Sequence, residues 1–277
     1  MTKKTLARMT KSVSALLAGT YLFASFPGIR KKKKCQPLMR WDYAHRGLHD
    51  KSHGIPENSL TAFRRAADHG YGMELDVRIT KDGHLVVMHD DNVKRMCGIN
   101  KKVRDMTLPE LRALRLDGTD EKIPLFSEVL DIIDGKVPLI IELKEETKNG
   151  YPLLCRLVWD KLKDYKGVYC IESFHPGVVR WFKQNHPEII RGQLSCRPQK
   201  NDAVNHFLFL MVTHLLSNCL TRPDFIAYCY RDINIPAFLL NRHLFRPAIV
   251  LWTIPSRREY EHFRKKADLL IFENFTP

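Results

Sequence analysis

The stretch MELDVRITKDGHLVVMHD, residues 73–90, contains two apolar runs whose pairing decides the architecture of the chain. Met73–Val77 and Leu85–His89 both carry the aliphatic, β-branched character of strands. Seven residues, Arg78 to His84, separate them, and Lys81-Asp82-Gly83 among these is a turn signal. Two parallel strands need a crossover of about a dozen residues or more. The pair therefore predicts an antiparallel hairpin, with one run outside any parallel sheet.

Working outward, strand-like runs fall at Asp42–His45, Leu139–Lys144, Val168–Phe174, Ile189–Leu194, Asp224–Tyr230, Ala248–Thr253 and Leu269–Glu273. Helical patterns lie between most of them, at Ser59–His69, Leu108–Leu114, Ser127–Ile133, Pro152–Leu162, Pro176–Asn185, Ala203–Asn218 and Ser256–Lys266. Such alternation reads as βαβ units and a mostly parallel sheet. Setting Leu85–His89 aside as the hairpin partner leaves eight strands. The expected fold is α/β, a (β/α)8 TIM barrel with a small hairpin insertion after the second strand. A doubly wound open sheet is the alternative, but no glycine-rich dinucleotide loop follows the first strand.

The chain has 277 residues, 44% of them hydrophobic, and a net charge of +14. Such an excess suggests nucleic acid, yet its distribution does not. Residues 1–34 hold nine positive side chains and no acid, leaving 36 against 31 for the rest. The body shows no basic stripe with interleaved aromatics, so no nucleic-acid partner is expected. The uncharged run Ser12–Ile29, bracketed by basic clusters, predicts a transmembrane anchor over residues 1–35, ahead of a barrel domain over 36–277. A basic block directly after the run argues against a cleaved signal peptide. The expected location is the cell membrane, as a single-pass protein, with the positive-inside rule tipping the body toward the cytoplasm. The seven cysteines show no zinc or paired spacing and read as free thiols.

Polar residues gather where strands end. The first strand runs into His45-Arg46-Gly47. Glu74 and Asp76, two apart on a strand, share one face. Glu142 and Lys144 repeat the device, and the hairpin strand ends in His89-Asp90. Active sites of such barrels lie at the C-terminal strand ends. Three carboxylates converging there repel one another unless a cation lies between them, and an all-oxygen donor set selects Mg²⁺ or Ca²⁺. Arg46 and Lys144 add charge suited to a phosphate. His45 and His89 supply acid/base groups near neutral pH. The assembled chemistry is metal-assisted phosphoryl transfer or hydrolysis.

Read as a string, these motifs resemble the glycerophosphodiester phosphodiesterase family, in its bacterial, membrane-anchored form. The family signature stands here as His45-Arg46-Gly47, Pro56-Glu57-Asn58-Ser59, Glu74-Leu75-Asp76-Val77, Thr80-Lys81-Asp82-Gly83, Val87-Met88-His89-Asp90 and Glu142-Leu143-Lys144. The match runs in order over about residues 43 to 277. The resemblance implies a divalent-cation phosphodiesterase that releases glycerol 3-phosphate and an alcohol. Glu74, Asp76 and Glu142 fall on metal ligands, His45 and His89 on the general acid/base pair, and Arg46 and Lys144 on phosphate contacts. Trp252 is expected either against the substrate's carbon skeleton or in the core. The loop Leu48–Ile55 is longer than the family's usual one. Its His49, Lys51 and His53 are expected to be solvated, with head-group recognition as the alternative. Residues 272–277 stand where the family usually has an Asp-containing end.

The apolar segment 207–220 is expected to pack on the barrel, with a membrane-dipping element as the alternative. Together with an anchor it would suit a lipid diester, so lysophospholipase D-type hydrolysis is the second functional expectation. A catalytically inactive phosphate-binding barrel is the third. The expected partner is a small or lipid-derived phosphodiester.

Overall fold

A computed structural model describes the chain except for residues 1–2, 29–31, 146–149 and 199–205. Ile29, Arg30 and Lys31, at the end of the expected span, and Ala203, where a helix was expected to begin, lie outside the described residues. In chain order the elements are α1 (Lys3–Ser25), β1 (Tyr43–Ala44), α2 (Leu60–Asp68), β2 (Gly72–Ile79), β3 (Leu85–Val87), α3 (Lys94–Cys97), α4 (Leu108–Arg112) and α5 (Phe126–Ile133). There follow β4 (Leu139–Leu143), α6 (Tyr151–Leu162), β5 (Tyr169–Ser173), α7 (Pro176–Asn185), β6 (Arg191–Ser195), α8 (His206–Thr213), α9 (Asn218–Thr221) and β7 (Phe225–Cys229). The chain closes with α10 (Pro236–Leu240), β8 (Ala248–Ile254), α11 (Arg257–Phe263) and β9 (Leu269–Phe272).

β2 and β3 form the antiparallel hairpin, with Val77 opposite Val87 and Ile79 opposite Leu85. The other eight strands run parallel in the order β1-β9-β8-β7-β6-β5-β4-β2, and β1 pairs with β2 to close the barrel. β2 belongs to both systems because it is eight residues long. Its first half lies in the wall against β4, and its last residues overshoot the rim to meet β3. Residues 86–123 beyond it enclose a small core of their own, which includes Val86, Met88, Met96, Leu111 and Ile123.

Alternation sorts the wall into two apolar layers. Leu75, Val77, Ile141 and Ile171 face outward to the helices and meet Phe63, Val129 and Phe182. Tyr43, Ile140, Cys170, Phe225, Val250 and Ile271 fill the inside. Gly192 is required on the inner face, because a β-carbon there would collide with the Phe225 ring. Sequence signals set the helix starts. Ser59 caps α2 by accepting the Ala62 amide, and Pro176 opens α7 beneath a His175 cap.

The floor is closed by residues 32–40. Cys35 and Leu38 pack under the inner layer, and the Lys34 ammonium donates to Pro187 O, Ile189 O and Asp224 Oδ2, each at 2.9 Å. Lys32 pairs with Asp268. Two lysines of the supposed membrane-flanking block are thus ion-paired to the barrel.

The expected transmembrane span is not found among the described residues. α1 stops at Ser25, so only residues 12–25 of the uncharged run are helical. At about 1.5 Å per residue that is roughly 21 Å, short of a bilayer core of about 30 Å. Among the described residues no helix is long and apolar enough to cross a membrane. The end of α1 is held by the barrel: Asn218 donates to Ser25 O, and Arg222 lies over the Phe23 and Phe26 rings.

Other differences are local. The first strand shrinks to two residues, and α10 was not expected at all; its five residues are too few to show a period. The single helix expected over 203–218 divides into α8 and α9 because Leu215 takes a left-handed conformation, φ 56°. Val212 and Leu215 are buried there, and Ser195 Oγ and Tyr228 OH bond the carbonyls of Val212 and Thr213. The middle of 207–220 thus packs on the barrel, whereas Leu210 and Leu220 are exposed.

Candidate active site

The sharp turn after β1 builds the first wall of the site. Arg46 and Gly47 both have positive φ, 55° and 80°. A β-carbon on Gly47 would lie 2.9 Å from the Ala62 backbone, so α2 can approach only a glycine. The turn aims the Arg46 amide at Glu74 Oε2, 3.1 Å away. It also brings the guanidinium to Glu57 (2.7 Å) and Asp76 (3.5 Å). Asn58, again at positive φ, donates to Asp76 Oδ2 at 2.8 Å. The Pro56–Ser59 motif thus positions an arginine and a carboxylate and then caps α2.

Glu74, Asp76 and Glu142 converge as expected. All three are buried, and they offer oxygens within 4.8 Å of one another. The register β2–β4, with Asp76 beside Glu142, sets this. Lys144 Nζ lies 2.7 Å from Glu142 Oε2 and 3.1 Å from Asp76 Oδ1. Burial, together with the charges of Asp76 and Glu142, pushes the Glu74 carboxyl well above its ordinary range. Burial acts on Asp76 too, but Lys144, His89 and Arg46 outweigh it and hold that carboxyl well below. One acid of the three thus resists ionisation while another stays charged, as expected of crowded carboxylates.

Both histidines are anchored by an acid through Nδ1. His45 Nδ1 lies 2.8 Å from Glu273 Oε1, leaving Nε2 directed to the Glu74 side, 3.9 Å from Oε2. His89 Nδ1 lies 2.7 Å from Asp90 Oδ1. Arg95 joins Asp90 to Glu57 by contacts of 2.6–2.9 Å, so the hairpin extension and the β1–α2 turn are clamped together. Burial and then the Lys144 charge lower His89 to about 4. Burial and Arg46 lower His45, while Glu273 partly restores it.

These side chains line one small cavity of about 90 Å³, in which His45, Arg46, Glu74, His89, Glu142 and Lys144 face Phe174, Leu194 and Trp252. Trp252 stands edge-on to Phe174 at 5.6 Å. It lines the cavity and packs against the inner apolar layer as well. All eight residues expected at the site are at this mouth.

Three others were missed. Glu57 and Glu273 bond expected residues, and Glu172 projects into the same cavity. A signal existed for the last two: Glu172 shares a face with inward Cys170, and Glu273 with inward Ile271. The long loop divides. Lys51 and His53 are solvated as expected, but His49 is largely buried, with Nε2 3.2 Å from Glu273 Oε1. That loop and residues 272–276 enclose a second cavity of about 410 Å³, on the other side of Glu273 from His45.

A closed parallel barrel with buried carboxylates, fixed cations and acid-anchored histidines at its mouth suits the hydrolysis of phosphate esters. The model of the glycerophosphoryl diester phosphodiesterase family matches residues 45–259, and the chain belongs to that family. It is an enzyme of the phosphoric diester hydrolase class, and the family's reaction is hydrolysis of glycerophosphodiesters.

Relatives come from mammals and bacteria alike. Human glycerophosphodiester phosphodiesterase 1 is 28% identical over 92% of this chain and 84% of its own length. The glycerophosphodiester phosphodiesterase of Caldanaerobacter subterraneus is 36% identical over 54% of the chain and 65% of its own. A rat lysophospholipase D is 33% identical over 44% and 42%. Among solved structures, the glycerophosphodiester phosphodiesterase of Thermotoga maritima superposes with a TM-score of 0.62 at 27% identity, covering 83% of this chain and 92% of that one. The Oleispira antarctica phosphodiesterase, in complex with its product sn-glycerol-3-phosphate, gives 0.67 at 21% identity, over 84% and 92%.

Proposed function

We propose that the cavity cleaves a glycerophosphodiester into glycerol 3-phosphate and an alcohol through two histidines that exchange protons across the phosphate. The observation that carries this is the pair of acid-anchored imidazoles lining one cavity with Glu74 and Glu142, which cluster with buried Asp76.

Glu74, Asp76 and Glu142 fit a hard divalent cation, Mg²⁺ or Ca²⁺. Oxygens within 4.8 Å of one another match two metal–oxygen distances of about 2.1–2.5 Å. When bound, such an ion neutralises charge building on the phosphoryl oxygens. Arg46, already fixed by Glu57, and Lys144 flank the same place and orient the phosphate.

The surroundings of the two histidines support a division of roles. His89, held low by burial and Lys144, is neutral at ordinary pH and is the general base toward the glycerol hydroxyl next to the phosphate. That oxygen attacks phosphorus. His45, held through Nδ1 by Glu273, which partly offsets the lowering by burial and Arg46, protonates the departing alcohol oxygen. In the second half His45, now neutral, takes a proton from water, whose oxygen opens the cyclic phosphate. His89 then returns its proton to the glycerol oxygen, which restores both groups.

The neighbouring cavity is lined by charges that are already paired, His49 with Glu273 and Lys51 with Asp117, and by Ser52, Asn274 and Thr276. Such a lining supports a deacylated diester over a lipid one. Incubating the purified chain with Mg²⁺ or Ca²⁺ and a deacylated or a lyso diester, the latter in detergent, separates the two. Glycerol 3-phosphate release from the deacylated substrate is expected. His45→Ala and Glu74→Ala should each lower it by about 10²-fold or more with the fold intact; full activity in either sinks the assignment.

A further inference from the structure

We infer that Glu172 recognises the terminal hydroxyl of the substrate's glycerol arm, the one that does not attack phosphorus. The inference rests on the reading of the site as a glycerophosphodiesterase. Glu172 lies on β5 directly beside Glu142 in register and is 1% exposed. It lines the reaction cavity.

The three clustered acids beside it are spoken for. Glu74 accepts the Arg46 amide, Asp76 accepts Asn58, and Glu142 holds Lys144. Glu172 stands outside the group of oxygens that could share one ion. Its Oε2 is fully buried and has no hydrogen-bond partner among the described residues. An orphaned buried acceptor is costly, and a bound hydroxyl removes the cost.

The rest of the cavity suits the same arm. Phe174, Leu194 and Trp252 offer an apolar wall for methylene groups. The indole Nε1 of Trp252 is a second buried polar atom without a partner among the described residues. An acid facing an aliphatic and aromatic wall is matched to a short chain that carries a hydroxyl.

The test pairs the residue with the hydroxyl. Two diesters of the same alcohol are compared in Mg²⁺, one of glycerol 3-phosphate and one of propane-1,2-diol phosphate, which keeps the attacking hydroxyl and lacks the terminal one. The wild-type chain should prefer the glycerol diester by about 10- to 100-fold in kcat/KM, the worth of one hydrogen bond to a buried acid. In Glu172→Ala that ratio should fall toward one. Glu172→Gln, which keeps shape and an acceptor oxygen, should retain part of it and serves where the alanine variant does not fold.

An unchanged ratio in both variants overturns the inference. So does a tenfold or greater loss of Mg²⁺ affinity in either variant, measured by calorimetry without substrate, because Glu172 would then be a metal ligand. If the wild-type chain cleaves neither diester, the glycerophosphodiesterase reading fails and this inference falls with it.

Discussion

Glu273 shows how one side chain can govern a proton. Its Oε1 accepts from both His45 and His49, and these bonds hold its pKa far below the ordinary carboxylate value against the effect of burial. The lasting negative charge fixes the proton of His45 on Nδ1 and leaves Nε2 for the reaction. Glu273→Gln should therefore lower kcat by about tenfold or more while KM changes little, and Glu273→Asp should recover part of the loss. A fall confined to KM in steady-state assays would argue for a binding role instead. Glu74, Asp76 and Glu142 were legible in the sequence because each has a polar neighbour two residues away on the same face. Glu172 and Glu273 have none. Alternation with inward Cys170 and Ile271 marks only their face, and the register that brings them to the site is not written in a local pattern.

At the level of the elements, the seven-residue spacer after Val77 was sufficient to place the hairpin, and the count of eight parallel strands followed. Strand ends were less legible. β1 is only two residues long because the chain must turn at once into the left-handed pair Arg46-Gly47. Gly47→Ala combines an unfavourable φ with a collision against Ala62. It should destabilise the protein by about 1–3 kcal/mol in urea unfolding and lower activity through Arg46. Wild-type stability in this variant would show that α2 can shift. The uncharged run outlasts its helix because hydropathy over Ser12–Ile29 says nothing of where a helix stops, and Phe26-Pro27-Gly28 follows the end of this one.

For the whole molecule, charge is a matter of linkage. Burial would raise the Glu57 carboxyl, but bonds from Arg95 and the charge of Arg46 hold it at about 2. A carboxyl depressed in the folded state stabilises fully above its unfolded value of about 4.3, and the benefit is lost as pH falls toward 2. Glu57→Gln should thus cost about 1–3 kcal/mol at pH 7, and the gap to wild type should close between about pH 4.5 and 2 in pH-dependent unfolding. A gap that persists at pH 2 would contradict the assignment. The crowded triad makes the complementary prediction: Mg²⁺ or Ca²⁺ should raise Tm relative to chelated protein. The gain at a hundredfold excess over Kd is about 2.7 kcal/mol, and it should disappear in Asp76→Asn.

The clasp of Lys34 on Asp224 and on the carbonyls of residues 187 and 189 has a consequence for approach. Those groups stand at the entrance ends of β6 and β7, whereas the reaction takes place at the exit ends of the strands. The end of the N-terminal helix is thus moored at the stern of the barrel, with the cavity at the bow. Its contacts leave the mouth uncovered, so a diester reaches the carboxylates without passing the helix.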